Sequence, residues 1–560
     1  MASPVRAVLL LAGIAGLGVL LAWSPVPQAE DEGYPVHDQT VVDRCSGCHR
    51  VDDEGRMTRV SYLRKTPEGW QTSVRRMVAL YNVKVSPEEA RDIVRYLSDA
   101  QGLAPEELRP GRFEVERRMV EYDYEGDSGV EFTCMSCHSM GRVVTQRRTR
   151  EEWELLLATH RALYPLVDFQ AFRRPGPPAT EPGPDGSPPD PRHPMDRAVD
   201  HLSAAFPLET PEWSAWSATK RAPRLAGSWA LSGYEAGKGA VYGTVEVSAN
   251  SGDPGAFTTT TAYVYAESGE RVTRTGQAVV YTGYQWRGRS NPGGQGELRE
   301  VMLVERDQDR MTGRWFTGAY DEIGLDVSLE RVGGGAFVTG VHPRAVERGA
   351  TVEVRMFGGG FAAAAAGDLD FGEGVTVTGV RGEGGALRVG LRVDAAAAVG
   401  ERDLVAFGKV VEGALAVHDG VDRISVTPPS GMARLGGGNF PKGFQTFDAV
   451  AFDDGPDGRS DTEDDVELGR VPVTWSVEEY AAVFGDEDVR FVGAMGEDGT
   501  FVPAEDGPNP QRAGNRNNVG DVWVVATHRT SDGAELRARA HLLVTVPLYM
   551  RFEPWREVSR

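Results

Sequence analysis

Two short stretches of this 560-residue chain stand out chemically: RCSGCHR at 44–50 and TCMSCHS at 133–139. They hold Cys45, Cys48, Cys134 and Cys137, which are all four cysteines of the sequence, and a histidine follows each pair directly, His49 or His138. Four thiols could pair as disulfides in any of three connectivities, and two C-x-x-C pairs could supply four thiolates to zinc. Neither chemistry accounts for the histidines. C-x-x-C-H is the attachment signature of c-type haem, in which two thiols add to the vinyl groups and the adjacent imidazole reaches the iron. Two copies that use every cysteine predict two haem c groups, with His49 and His138 as their proximal ligands.

Each iron then needs a sixth ligand or an open position, and an internal repeat supplies candidates. KTPEGWQTSVRRMVALY (65–81) aligns without gaps on RTREEWELLLATHRALY (148–164), which sets Met77 opposite His160. VRYLSDA (94–100) likewise resembles VDHLSAA (199–205). Thr66 with Pro67 reads as a helix start, and Thr149 with Glu152 as a capping box. Trp70 and Met77, like Trp153 and His160, are spaced to share one helix face. A lone Met or His on such a face is ordinary core. Matched positions, 28 residues after His49 and 22 after His138, point instead to ligands. The sequence therefore predicts two tandem cytochrome c units, ligated by His49 and Met77 in the first and by His138 and His160 in the second. Met57 and Met140 follow their histidines too closely to fold across a ring, and His193 and His201 are alternatives for the second iron. A thioether ligand raises haem potential relative to imidazole, so the second site is expected to be the lower-potential one.

Residues 7–23 are an apolar run of 17 after Arg6, followed by SPVPQA. This is the layout of a secretory signal, predicted here to span 1–29, with an uncleaved membrane anchor as the rival reading. A chain of this length needs several cores, and 68 glycines with 34 prolines favour many turns and much β structure. The units are expected at 30–110 and 111–222 for the cytochromes, 223–333 for an antiparallel β-barrel, and 334–427 and 428–560 for two immunoglobulin-like sandwiches. The barrel rests on six strand-like runs: LAGSWALSGYEAG, GAVYGTVEVSAN, TTTAYVYAE, AVVYTGYQWRG, REVMLVERD and MTGRWFTGAY. Trp229 and Trp315 are expected at its ends, and a filled interior is preferred to a ligand cavity. The proline-dense segment 173–194 reads as an extended loop in the second cytochrome unit, and Gly436 to Gly443 as a loop with no Rossmann helix behind it. DDGPDGRSDTEDD makes Asp453, Asp457, Asp461, Asp464 and Asp465 a candidate calcium loop; the spacing is not that of an EF-hand, and a solvated acidic turn is the competing reading. The net charge of −22, without a basic stripe, argues against nucleic acid as a partner.

The order of these segments resembles the haem-bearing large (alpha) subunit of quinohaemoprotein amine dehydrogenases. The resemblance is carried by CSGCHR with RKTPEGW and Met77, CMSCHS with REEW and His160, GPDGSPPDPRHPMD, and the late GMARLGGG and VTWSVEEYAAVF, and it covers everything after the leader. It implies oxidative deamination of primary amines at a cysteine tryptophylquinone held in a small gamma subunit, a β-propeller beta subunit completing a heterotrimer, and a soluble periplasmic acceptor such as a small copper protein or a cytochrome. With every cysteine assigned to haem, this chain has none left for a quinone cross-link, so its expected role is electron transfer. A di-haem cytochrome c peroxidase-like enzyme and a self-standing di-haem electron carrier are the alternatives.

Overall fold

The computed structural model describes residues 32–547, apart from 117–122, 136, 165–166, 168–187, 189–191, 292–293, 295, 318–322, 482–485 and 515. The leader at 1–29 and most of the proline-rich loop lie outside the described residues.

From 32 to 220 the described residues are largely helical because the sequence caps and punctuates them. In the first repeat, α1 (Gln39–Cys45) starts at Asp38, whose carboxylate accepts the Val41 amide at 2.9 Å. α2 (Pro67–Tyr81) starts at Thr66 and stops at Asn82, which adopts the left-handed conformation that ends helices. α3 (Pro87–Ala100) opens with a complete Ser86–Glu89 capping box, and α4 (Pro105–Leu108) follows. The second repeat has α5 (Ser128–Met135), α6 (Gly141–Val144), α7 (Arg150–Leu163) and α8 (Pro194–Ala205); α9 (Pro211–Thr219) leads out of it. The capping box expected at Thr149 is half formed. Its hydroxyl accepts the Glu152 amide at 3.2 Å, but the Glu152 carboxylate turns to Arg59 at 2.9 Å instead of to the Thr149 amide. A charged partner outbids a neutral backbone donor there.

The repeats are joined by a short ladder. β1 (Leu63–Lys65) runs antiparallel to β2 (Gln146–Arg148), pairing Leu63 with Arg148, Arg64 with Arg147 and Lys65 with Gln146. In the sequence repeat Arg64 corresponds to Arg147 and Lys65 to Arg148, so the register is self-complementary: a local two-fold axis passes through the Arg64–Arg147 pair. Glu107 sits on it, accepting from Arg64 through both oxygens at 2.8 Å and lying 3.1 Å from Arg147 Nε.

Residues 227–331 form a closed eight-stranded antiparallel barrel in which sequence neighbours pair throughout: β3 (Gly227–Glu235), β4 (Gly239–Asn250), β5 (Asp253–Tyr265), β6 (Arg271–Tyr281), β7 (Gln285–Ser290), β8 (Leu298–Val304), β9 (Arg310–Phe316) and β10 (Gly324–Arg331). Alternate residues point inward, and Trp229, Phe257, Trp286 and Trp315 share one buried core with Trp213 and Trp216 of α9. The interior is filled. The run AVVYTGYQWRG is a hairpin and not one strand, because the chain turns back at Thr282 and Gly283, both at positive φ. A β-branched residue resists that conformation. Here the helical half holds it: the Thr282 amide donates to Asp99 Oδ1 at 2.5 Å and its hydroxyl to the Ser98 carbonyl at 2.9 Å. Asp99→Ala is accordingly expected to lower stability by about 1–3 kcal/mol, the cost of a buried donor left unpaired. Thermal unfolding measures it, and an unchanged midpoint would rule out this clamp.

Beyond the barrel, strands 337–342, 351–359, 386–393 and 375–383 make one four-stranded sheet, and 345–347, 409–418, 400–406 and 369–370 another. Val354, Met356 and Leu391 of the first share a core with Leu404, Leu415 and Val417 of the second. From 423 to 545 a four-stranded and two three-stranded sheets enclose Phe447, Phe501, Val522, Val524 and Leu542. Asp448 ties this last region to the barrel, accepting from Tyr234 at 2.9 Å and pairing with Arg470 at 2.6 Å.

Candidate haem-binding centre

Each C-x-x-C-H segment closes a turn on its first cysteine. The Cys48 and His49 amides donate to the Cys45 carbonyl at 3.1 and 2.9 Å; those of Cys137 and His138 donate to Cys134 at 3.3 and 3.4 Å. Both turns end short helices that start at an aspartate, Asp38 or Asp127, seven residues before the first cysteine. None of the four cysteines forms a disulfide, and among the described residues the two pairs do not converge as a four-thiol metal site. The disulfide and zinc readings therefore have no geometry here. Burial pushes the Cys134 thiol up to about 12 and raises Cys45 as well, so both are neutral thiols at ordinary pH.

The imidazoles are oriented by their own backbone. His49 Nδ1 donates to the Thr58 carbonyl, His138 Nδ1 to Ser139 and His160 Nδ1 to Leu156, each at 2.8 Å. A carbonyl only accepts, so each bond fixes the tautomer with its lone pair on Nε2, as in metal-ligating histidines. Burial lowers the His160 pKa, which keeps that lone pair available at neutral pH. The rings of His138 and His160 lie with centroids 6.5 Å apart and planes tilted by 46°. With metal–nitrogen bonds of about 2.0 Å and a further ~1.1 Å from nitrogen to ring centre, two imidazoles on opposite sides of one ion would stand roughly 6.2 Å apart.

The repeat carries this placement to the first unit. Trp70 Nε1 donates to the Gln101 carbonyl and Trp153 Nε1 to that of Phe206, both at 3.2 Å. The Lys65 and Arg148 amides reach the same two carbonyls at 3.1 and 3.3 Å, and each side chain lies over its own tryptophan. α2 and α7 are thus anchored alike, and Met77, half-buried on α2, occupies the place His160 has on α7. Large apolar side chains around both sites reach solvent: Tyr81 and Tyr164 at matched helix ends, and Phe132 beside Cys134, are 65%, 51% and 79% exposed. Paired thiols, oriented lone pairs and uncovered apolar surface are what a flat, covalently attached haem requires, so the residues present fit the group.

The alternative ligands have other partners. His193 caps α8, accepting the Met195 amide at 3.2 Å, and His201 Nε2 lies 2.6 Å from the Tyr124 hydroxyl. Tyr96, the match of His201 on α3, accepts the His37 amide at 2.7 Å, so this position ties down the segment entering each C-x-x-C-H helix. Met57 and Met140 are fully buried core. Reading the sequence missed Tyr124 and Glu107; the signal for the second was an arginine repeated two residues before each capping threonine, Arg64 and Arg147.

In the acidic loop the carboxylates face protein donors. Asp453 accepts from Gly455, Asp457 from Arg459, and Asp464 from Asp457; Asp465 accepts from Asp461 and pairs with Arg423, which also approaches Asp461 at 3.5 Å. Among the described residues, the acids that do converge are Glu479, Asp486 and Asp488, and Arg512 already bridges the last two.

Two repeats, each with a C-x-x-C-H turn and a donor on a matched helix, joined to a closed barrel and further sheets, define a multidomain haem-binding protein on a largely β scaffold. Four domain profiles of the quinohemoprotein amine dehydrogenase alpha subunit match in order: haem binding at 36–176, domain II at 222–332, domain III at 336–419 and domain IV at 424–554. The chain belongs to that family. No curated protein matches it. Similar solved structures include a redesigned β-barrel, 13% identical, covering 20% of this chain and 98% of that one with a TM-score of 0.18. A de novo fluorescence-activating β-barrel is 18% identical over 20% and 99%, with a TM-score of 0.17. The Bacteroides ovatus mixed-linkage glucan utilization locus protein SGBP-B, in complex with a heptasaccharide, is 9% identical over 59% and 68%, with a TM-score of 0.18. TM-scores this low say nothing of function.

Proposed function

We propose that this chain is the di-haem electron-transfer subunit of an amine dehydrogenase, with haem c attached at Cys45/Cys48 and Cys134/Cys137. His49 and Met77 ligate the first iron, His138 and His160 the second. The observation that carries the reading is the His138–His160 pair, ring to ring at 6.5 Å with both Nδ1 atoms held by carbonyls. Bound haem c supplies a one-electron couple. The protein's part is to fix the ligands: Thr58, Ser139 and Leu156 hold the imidazoles, Trp70 and Trp153 anchor α2 and α7, and Tyr81, Phe132 and Tyr164 would offer the group apolar contact. An imidazole pair sets a lower potential than imidazole with thioether, which orders transfer from the second unit to the first. With His49 and Met77 holding one iron and His138 and His160 the other, neither would keep a position for substrate, so amine oxidation would belong to a partner.

That partner is a small gamma subunit carrying cysteine tryptophylquinone, with a β-propeller beta subunit completing a heterotrimer in the periplasm, and electrons leave to a small copper protein or a cytochrome. The leader at 1–29 addresses the chain there. The sheets of 337–418 and 423–545 are two immunoglobulin-like sandwiches that, with the barrel, form the scaffold for these partners. Calcium has no role in this reading.

The direct test is covalent haem content. Intact mass of the protein matured in a cytochrome c-competent host is expected to show two haems, and Cys45→Ala/Cys48→Ala or Cys134→Ala/Cys137→Ala one each. A single haem in the parent, or loss of both in either double variant, would defeat the reading.

A further inference from the structure

Where the repeats meet, positive charge outnumbers acid among the described residues. Lys65 and Arg148 are two-fold mates at the ends of the β1–β2 ladder, and both are buried. The strongest electrostatic neighbours of Lys65 are Arg148, Arg76, Glu152 and Arg59, three cations to one acid. Glu152 is spent on Arg59 at 2.9 Å and Arg148 at 3.7 Å, and Lys65 Nζ finds only the Ser73 hydroxyl at 2.7 Å. Arg76, half-buried beside Met77 on α2, makes no hydrogen bond or ion pair among the described residues. It lies one helical turn beyond Ser73, which holds Lys65, and within electrostatic reach of the other repeat, where His160 also feels Arg148 and Arg142.

Withdrawing several cations from water without an anion is strongly unfavourable, and a planar guanidinium is suited to take a carboxylate through two parallel bonds. The ligand this cluster asks for is dianionic, carries carboxylates, and lies next to His160. Haem meets that description, because its two propionates leave the porphyrin on the edge away from the thioether-linked vinyl groups. We propose that Arg76, with Arg148 and Lys65 behind it, receives the propionate carboxylates of the haem attached at Cys134 and Cys137. This assignment rests on the two-haem reading. It makes α2 serve both sites: Met77 ligates the first iron while Arg76, one residue earlier, clamps the edge of the second haem, so that neither repeat completes its site alone. Arg76 is then a positioning residue, and its positive charge also favours the reduced state of that haem.

The test uses the full mature chain and the variants Arg76→Gln, Arg76→Lys and, as a neighbouring control, Arg75→Gln. Resonance Raman in the propionate-bending region and spectroelectrochemical titration of each haem are the readouts. Arg76→Gln is expected to shift the propionate band of the bis-histidine haem and lower its potential. Arg76→Lys should keep the potential near the parent's, and Arg75→Gln should move neither. Two covalent haems with an unmoved band in Arg76→Gln overturn this assignment alone, as does an equal shift in Arg75→Gln. Fewer than two haems in the parent overturn the two-haem reading and this assignment with it. Arg76 is partly exposed at a helix surface, so its replacement leaves the fold in place, which circular dichroism verifies.

Discussion

His160→Ala is expected to convert one haem from six-coordinate low spin to high spin and leave the other unchanged, so that half of the haem changes state. The cause is local. His160 Nδ1 is held by the Leu156 carbonyl at 2.8 Å and its ring stands 6.5 Å from that of His138, so no other donor replaces it. The nearest substitutes are committed, His201 to Tyr124 and His193 to the start of α8. Met77→Ala should convert the other haem, and it alone should abolish the methionine–iron charge-transfer band. Met77→His should keep that haem low-spin and lower its potential, since imidazole replaces a thioether. Low-temperature optical and electron paramagnetic resonance spectra during a redox titration separate these outcomes. A high-spin haem already present in the parent protein, reacting with peroxide, would move a di-haem peroxidase ahead of an electron relay.

The second large effect concerns the hub on the two-fold axis. Glu107 is 4% exposed and neutralises Arg64, which is fully buried, and Arg147. Removing the acid strands two buried guanidinium groups, and breaking a buried ion pair by deleting one partner costs about 3–5 kcal/mol. Glu107→Ala is therefore expected to destabilise the haem-binding half by that amount, with Glu107→Gln intermediate because it keeps an acceptor for Arg64. Differential scanning calorimetry measures both; a loss no larger than that of an exposed glutamate such as Glu151 would show the hub to be dispensable. Acid should act in the same direction. Burial pushes the Glu107 carboxyl up, but the bonds from Arg64 and the charge of Arg147 outweigh it and hold the pKa below the ordinary value. A carboxylate depressed in the folded state adds stability above its unfolded pKa, and that stability is lost as pH falls through the folded one. The haem-binding half should thus weaken below the usual carboxylate range near pH 4, and the Glu107→Gln variant should not share that loss.

Much of this protein is legible without coordinates, for reasons tied to particular residues. C-x-x-C-H is a local motif whose chemistry needs only adjacent residues, so Cys45 to His49 and Cys134 to His138 could be read directly. The match of Met77 to His160 followed from a gapless repeat, because helical spacing converts sequence distance into a shared face. Alternation with glycine turns exposed the barrel, since period-two patterning is a property of a strand with one buried side. Where those signals failed, the deciding partner was distant in sequence. Thr282 adopts a left-handed turn because Asp99 and Ser98 hold it from another domain, so one apparent strand is two. Glu152 leaves its capping box for Arg59, 93 residues away. The acids of 453–465 meet backbone amides and Arg423, contacts that the run of carboxylates does not itself specify.

What the sequence determined by itself was the motif and the repeat: where the two C-x-x-C-H turns fall, which side chains are matched, and where helix gives way to sheet. What only the tertiary structure decided was how the two repeats meet. The β1–β2 register, Glu107 on its axis and the cations gathered around Arg76 depend on charges brought together over 40 to 90 residues. Capping, turns and periodicity act over a few residues and leave a pattern in the chain. A buried ion pair acts through space, and its energy depends on which groups folding removes from water together.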